Sequence, residues 1–300
     1  MTEQTGPTAD PLRTDRITEL DVALRDGGVL HVYDTGPSDD AAALPVLWHH
    51  GTPNTGHPPA PLFDTATALG LRWVGYDRPG YGGSTPAPDR PVSSAATYAE
   101  AVADALGLDR FAVMGHSGGG PHALACAAML PSRVVAAVAV ASLAPYGPEG
   151  LEPAAYTAGM AASGASALRA AAQGRAARET HEAEGGHAYD PEFTPGDLAM
   201  FDGEWAWFIG VVRAAAGSGP APAIDDDLAY VRPWGFDPAT VQVPTLLLQG
   251  GVDKIVPPAH ARRLAQAIPG AELRLDPDAG HISVVSGAAD ALVWVAKQLG

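Results

Sequence analysis

Val113-Met114-Gly115-His116-Ser117-Gly118-Gly119-Gly120 decides how this chain is read. It sets one serine inside Gly-x-Ser-x-Gly, after an apolar run and before an alanine-rich helical stretch. That is the strand–turn–helix context of a nucleophile elbow, a sharp turn that lifts a hydroxyl clear of a sheet. A Cβ in place of either flanking glycine would crowd the neighbouring strand or helix. The same turn leaves backbone N–H groups at the helix start facing outward, where they favour an anion. A plain βα turn holding a small residue would look the same locally, so the flanking sequence has to decide between them.

Working outward, Ile17 to Leu24 and Val29 to Tyr33 alternate around Asp26-Gly27-Gly28, which predicts a β-hairpin. Pro45 to His49, Leu71 to Tyr76, Phe111 to Met114 and Val134 to Ala141 are short apolar runs, read as buried strands. Pro58 to Leu69, Ser93 to Leu106 and Pro121 to Leu130 have helical spacing between them. This alternation implies a mostly parallel sheet with helices on both faces. It resumes late, with a strand at Pro244 to Leu248, a helix at His260 to Ala267, a strand at Glu272 to Leu275 and an amphipathic helix over Val284 to Gln298.

The middle breaks the rhythm. From about Pro145 to Pro238 no strand is evident, while Tyr156 to Arg178 and Leu198 to Ala216 read as two helices. The expected organisation is therefore a tail over residues 1–16, an α/β core over 17–144 and 239–300, and an inserted helical cap over 145–238. The cap is acidic. No Lys or Arg occurs between His181 and Val212, but Glu182, Glu184, Asp190, Glu192, Asp197, Asp202 and Glu204 do, and Asp225-Asp226-Asp227 follows. A solvated acidic face accounts for this; a cap that favours a cationic substrate is the sharper reading.

Whole-chain properties set bounds. A chain of 300 residues can bury most of its apolar surface, as one large domain or two small ones. Its formal net charge of −16 argues against nucleic acid and anionic membranes as partners, since both need basic surface. The single cysteine, Cys126, allows no internal disulfide and reads as a small buried residue. Met1 to Arg16 is polar and reads as a mobile tail, neither signal peptide nor anchor, and a cytoplasmic location is the default expectation. No His-Glu-x-x-His or Cys/His spacing points to a metal, and no cofactor is expected.

A serine hydroxyl is a weak nucleophile at neutral pH and needs a base, which in turn needs an orienting acid. In a parallel α/β sheet such groups belong just after strands. Asp253 follows Leu246-Leu247-Leu248-Gln249-Gly250, and His281 follows Leu273-Arg274-Leu275. The chain order is then Ser117, Asp253, His281. With these residues in place the sequence from Ile17 to Gly300 resembles the α/β-hydrolase superfamily, in its serine-nucleophile branch with a helical cap. The resemblance rests on Gly115-His116-Ser117-Gly118-Gly119, on Gly250-Gly251-Val252-Asp253-Lys254-Ile255-Val256-Pro257 and on Gly280-His281. Asp77-Arg78-Pro79-Gly80-Tyr81-Gly82-Gly83-Ser84 and His50-Gly51 add the loops after the family's fourth and third strands.

The resemblance implies an eight-stranded sheet and a set of roles. Ser117 attacks a carbonyl, His281 takes and returns its proton, and Asp253 holds the histidine. Backbone N–H groups of Gly118 and Thr52 hold the oxyanion. His50, His116, Trp205, Trp207 and Phe208 are candidate pocket residues, with packing as the other reading for the three aromatics. Asp276 and Asp278 shape a turn, Ser84 is a loop residue, and His260 begins an exposed helix. The expected activity is cofactor-free hydrolysis of a small or medium carboxylic ester through an acyl-enzyme. A proline-iminopeptidase-like aminopeptidase or amidase resembles the same layout, although His50-Gly51-Thr52-Pro53-Asn54 replaces its usual His-Gly-Gly-Pro-Gly. C–C and lactone hydrolases share the triad, and a ligand-binding receptor on the same fold is the non-enzyme alternative. The partner is a small-molecule ester or amide; a homodimer stays an open option.

Overall fold

A computed structural model describes residues 12, 15–36, 43–186 and 190–299. Eight strands form one sheet in the order β1-β2-β4-β3-β5-β6-β7-β8. They are β1 Thr18–Ala23, β2 Val29–Asp34, β3 Leu44–His49, β4 Leu71–Tyr76, β5 Phe111–His116, β6 Val134–Val140, β7 Thr245–Gly250 and β8 Glu272–Asp276. The β1/β2 hairpin runs antiparallel and β2 joins β4 antiparallel; every later pairing is parallel. The sequence pattern follows position in this order. The central strands β5, β6 and β7 are buried throughout and read as continuous apolar runs. The edge strands β1 and β8 carry Glu19 and Asp21, and Glu272, Arg274 and Asp276, charges that discourage edge-to-edge pairing.

Side chains alternate between two apolar clusters, one on each face of the sheet. Leu47, Val74 and Val113 belong to one; Trp48, Trp73 and Met114, their chain neighbours, belong to the other. Helices α1 Phe63–Ala68, α2 Ser94–Ala105 and α3 Gly119–Met129 fill the connections between the first strands. α2 and α3 cover the first face, through Ala95, Ala99, Val102 and Leu124, while α1 covers the second with Phe63 and Ala66.

Between β6 and β7 the described chain holds helices only: α4 Pro153–Tyr156, α5 Ala162–Ala172, α6 Arg175–His181, α7 Pro195–Met200, α8 Trp207–Ala215 and α9 Ala221–Val231. Two expected long helices are thus broken. Gly159 and Gly174, at φ 84° and 111°, interrupt the first. In the second, Gly203 takes an extended conformation between α7 and α8. The third long helix, α9, begins at Pro220-Ala221-Pro222, a start signal that the acidic triplet behind it obscured. This segment joins both faces of the core: α9 adds Ile224 and Leu228 to the first cluster, and α8 adds Trp207, Phe208 and Val211 to the second. Helices α10 Pro258–Ala267 and α11 Ala288–Lys297 complete the two layers.

The expected tail over residues 1–16 lies mostly outside the described residues. At its described end Leu12 packs on the second cluster and Arg16 pairs with Asp64 at 2.5 Å, so this end is docked. Among the described residues no helix is long and apolar enough to cross a membrane. Trp207 is 2% exposed and meets Trp48 edge to face, tying α8 to β3. Replacing Trp207 by alanine is expected to cost about 3–5 kcal/mol. Urea denaturation checks this; an unchanged midpoint overturns the account of α8 as part of the core.

Candidate active site

β5 runs straight into the turn at Ser117, whose φ of 55° lies in the left-handed region that non-glycine residues avoid. Two hydrogen bonds hold it there. Its N–H donates to Val140 O at 2.8 Å, and its carbonyl accepts from Gly120 N–H at 3.0 Å. Strand β6 and the first turn of α3 thus stabilise a backbone state that is strained in isolation. The flanking glycines allow the close approach. A Cβ at Gly119 would lie 1.8 Å from His49 O, and one at Gly115 would lie 2.2 Å from Gly119 O.

The loops after β7 and β8 bring the other two residues together. Asp253 Oδ2 accepts from His281 Nδ1–H at 2.8 Å. The other carboxylate oxygen, Oδ1, accepts from the N–H groups of Ile255 and Val256, both at 2.8 Å. Gln249 Nε2 lies 3.3 Å from Oδ2. The carboxylate is 3% exposed yet fully provided with donors, so it has one orientation. Because Nδ1 carries the proton, Nε2 of a neutral His281 is the basic nitrogen.

Two cavities meet at Ser117. One, of about 550 Å³, is lined by Ser117 and His281 and by Phe193, Phe201, Phe208, Ile209, Val212 and Ile282. The other, of about 580 Å³, shares Thr52, Pro53 and Ser117 and adds Gly118, Leu143, Leu168 and Tyr230. Its wall also carries Asp227, Arg178 and Glu182, with Arg178 bonded to Asp227 at 2.7 Å and to Glu182 at 2.9 Å. Both volumes suit small ligands. Thr52 therefore lies at the junction, and Gly118 lines the second cavity next to the candidate nucleophile. Among the described residues no group of three or more His, Cys, Asp or Glu side chains is placed to hold a metal ion.

The candidate pocket residues divide. Phe208 and His116 line the first cavity. His116 donates from Nε2 to His281 O at 3.0 Å, and burial pushes it down to about 3, so it stays neutral. His50 is not a pocket residue. It is fully buried under the loop, where Nδ1–H donates to Gly51 O at 2.8 Å and Nε2 accepts from Arg78 N–H at 2.9 Å. Trp205 and Trp207 also miss both cavities, because their rings pack in the second core cluster against Phe208 and Trp48. His260 does not start an exposed helix: it is fully buried, accepts from Ala144 N–H at 3.0 Å and donates to Tyr156 O at 2.8 Å. Cys126 is buried as expected, and burial pushes its thiol up.

Nor are the acids of residues 145–238 one solvated face. Asp226 is fully buried between Arg78 and Arg90, each 2.6 Å away. Burial opposes its charge, but the two guanidiniums hold its carboxyl well below the usual range. Asp197 is 2% exposed and caps α7 through a reciprocal pair with Thr194. The sequence pattern does not single out Arg78, Asp197 or Asp226 from their neighbours. The signal for Arg78 was its place in Asp77-Arg78-Pro79-Gly80; the two aspartates were hidden in an acidic run.

Comparison with known proteins agrees with the fold. Residues 45–288 match the model of the alpha/beta hydrolase fold, and the chain belongs to that family. Polyketide synthase ThaQ of Burkholderia thailandensis is 32% identical over 212 residues, covering 69% of this chain and 9% of that protein. A non-heme chloroperoxidase of Streptomyces lividans is 33% identical over 126 residues, covering 41% of this chain and 45% of the other. The chain thus spans less than half the length of either curated relative. A thermophilic esterase from Thermogutta terrifontis superposes with a TM-score of 0.63 at 23% identity, over 94% of this chain and 98% of its own. At that identity the likeness shows the fold alone.

The buried histidines make stability depend on pH. Burial holds His49 and His116 at about 3 and His260 at about 4, with His50 and His122 well below 6.5. In the unfolded chain each titrates near 6.5, at about the model-peptide value. Below that pH the unfolded state binds more protons, so stability falls as pH drops. Two groups oppose this: His31, where Asp21 and Glu19 outweigh burial, and Asp227, which burial pushes up to about 6. Five groups against two give a net loss. The urea midpoint is expected to fall from pH 7 to pH 5, and His260→Gln to flatten that slope by about one proton. A midpoint that holds or rises on acidification overturns the assignment of neutral buried histidines.

Proposed function

We propose that the chain is a cofactor-free serine hydrolase that cleaves carboxylic esters of small or medium substrates through an acyl-enzyme. The observation that carries this reading is the 2.8 Å bond from His281 to Asp253, with His281 and Ser117 on the wall of one apolar cavity. In the proposed reaction Ser117 Oγ adds to the ester carbonyl as its proton passes to His281 Nε2. The charge that forms on the carbonyl oxygen is met by the N–H groups of Gly118 and Thr52; one such donor is worth about 3 kcal/mol. Collapse breaks the C–O bond, and His281 returns the proton to the departing alcohol. Water then repeats the addition, giving its proton to His281, and the acid leaves with Ser117 restored. Asp253 keeps the histidine in one tautomer and stabilises its cation throughout.

In this reading residues 145–238 act as a cap that shapes the pocket, with a small molecule as partner and the cytoplasm as the place of action. One arm of the ester occupies the apolar cavity, the other the cavity that ends at Asp227. Esterase activity fits the name of one structural neighbour. A second reading takes an amide or ester with a free amine. Its support is the Arg178, Asp227 and Glu182 group, which sets two carboxylates against one guanidinium on the second cavity's wall.

Hydrolysis of p-nitrophenyl butyrate tests the main reading. Ser117→Ala is expected to lower kcat at least about a thousandfold and Asp253→Asn about ten-thousandfold. Turnover undiminished by Ser117→Ala overturns it. Aminoacyl arylamides hydrolysed better than matched esters would favour the second reading.

A further inference from the structure

Both catalytic loops are gripped by a buried carboxylate from the helical insertion. Asp197, in the first turn of α7, points its Oδ1 at the chain just after His281. That oxygen accepts from Ile282 N–H at 2.9 Å, Ser283 N–H at 2.8 Å and Ser283 Oγ–H at 2.9 Å. Ser283 Oγ in turn accepts from Gly280 N–H at 2.8 Å, which closes the loop around the histidine. The fit is close enough to dictate sequence: a Cβ on Gly280 would lie 2.1 Å from Asp197 Oδ2. Burial opposes a charge on Asp197, but these donors outweigh it and hold its carboxyl below the usual range.

Asp226, on α9, does the same for the other loop. Its Oδ2 accepts from Thr52 Oγ–H at 2.5 Å, Arg78 Nη2 at 2.6 Å and Tyr81 OH at 2.9 Å. Arg78 then passes the grip to the backbone, donating to the carbonyls of His50 and Gly51 and, at 3.0 Å, to Thr52 Oγ1. Tyr230, one turn along α9, brings its hydroxyl 2.8 Å from Thr52 Oγ1 and 3.1 Å from Gly118 O. His122 already donates to Gly118 O at 2.8 Å, since a carbonyl only accepts. The Gly118 carbonyl has two lone pairs and also accepts from the Tyr230 hydroxyl, while the Thr52 hydroxyl donates to Asp226. The Gly51 carbonyl is thus held by two donors, His50 Nδ1–H and the Arg78 guanidinium, and the second leads back to α9 through Asp226.

We propose that Asp197 and Asp226 are positioning residues, and that the seating of the helical insertion through them aligns His281 and the Thr52 N–H for catalysis. This rests on the serine-hydrolase reading above. Neither carboxylate touches the reacting atoms; each acts through a loop. A peptide N–H has to meet the oxyanion within a few tenths of an ångström, so a loop freed from its anchor loses rate without losing substrate affinity.

The test compares p-nitrophenyl butyrate turnover, phenylboronic acid inhibition and thermal stability in the full chain. Phenylboronic acid forms a tetrahedral adduct on serine and reports on transition-state alignment. Asp226→Asn and Asp197→Asn are expected to lower kcat about 10- to 100-fold. Each is expected to raise the boronate Ki by a similar factor and leave KM within about twofold. Because these variants disturb buried carboxylates, Thr52→Val and Ser283→Ala probe the same links from the core side. Thr52→Val is expected to reproduce the Asp226→Asn loss, and the double variant to lose no more than either alone. Ser283→Ala is expected to give a smaller loss of the same kind. The exposed Asp202→Asn, from the same acidic run, leaves kcat unchanged. Wild-type kcat and boronate affinity in Thr52→Val and Ser283→Ala overturn the proposal, whatever happens to melting temperature. Turnover that survives Ser117→Ala overturns the underlying reading and this inference with it.

Discussion

The close approach of α3 to β3 is the constraint on which the rest of the site depends. A helix start can lie against His49 O only if residue 119 has no side chain, and the strand-to-helix turn can close over it only if residue 115 has none. Those two contacts fix where Ser117 stands and force it into a conformation that its neighbours must stabilise. The parallel order of β5, β6, β7 and β8 then does the remaining work. It delivers the loops carrying Asp253 and His281 to the same end of the sheet as the turn, so residues far apart in the chain need only short loops to meet.

The sheet was legible because burial writes itself into composition. β4 runs over Leu71–Tyr76, the stretch its apolar run predicted; β5 extends its run toward the site, and β7 starts one residue later than its run and also extends toward the site. Ser117, Asp253 and His281 were legible for a related reason: each sits just past a strand, in a turn whose glycines leave a pattern. The helical segment was far less so. Its helices are short and glycine-interrupted, and their partners come from distant parts of the chain. Trp205, Trp207 and Phe208 are consecutive or nearly so, yet only Phe208 reaches the cavity. Which side of a helix faces ligand depends on how it docks, and no local spacing records that.

The acids show the same limit more sharply. Asp225, Asp226 and Asp227 are neighbours in sequence with three different fates. Asp225 pairs with Arg175, Asp226 is enclosed by two core arginines, and Asp227 meets Arg178 on a cavity wall. Helical geometry turns each side chain about 100° from the last, so a charge run on a helix is a set of separate environments. Buried ion groups of this kind cost desolvation and add little net stability on their own. Here Asp226 ties α9 to the loops after β3 and β4 through Thr52, Arg78 and Arg90.

The two cavities meet at Ser117 and Thr52, and that shapes traffic. On the proposed mechanism the alcohol departs through one chamber while the acyl group stays tethered in the other. The vacated chamber is then the route by which water arrives. Any alcohol or amine small enough to refill it faces the same activated carbonyl, so the partition between hydrolysis and acyl transfer is decided by occupancy of one room.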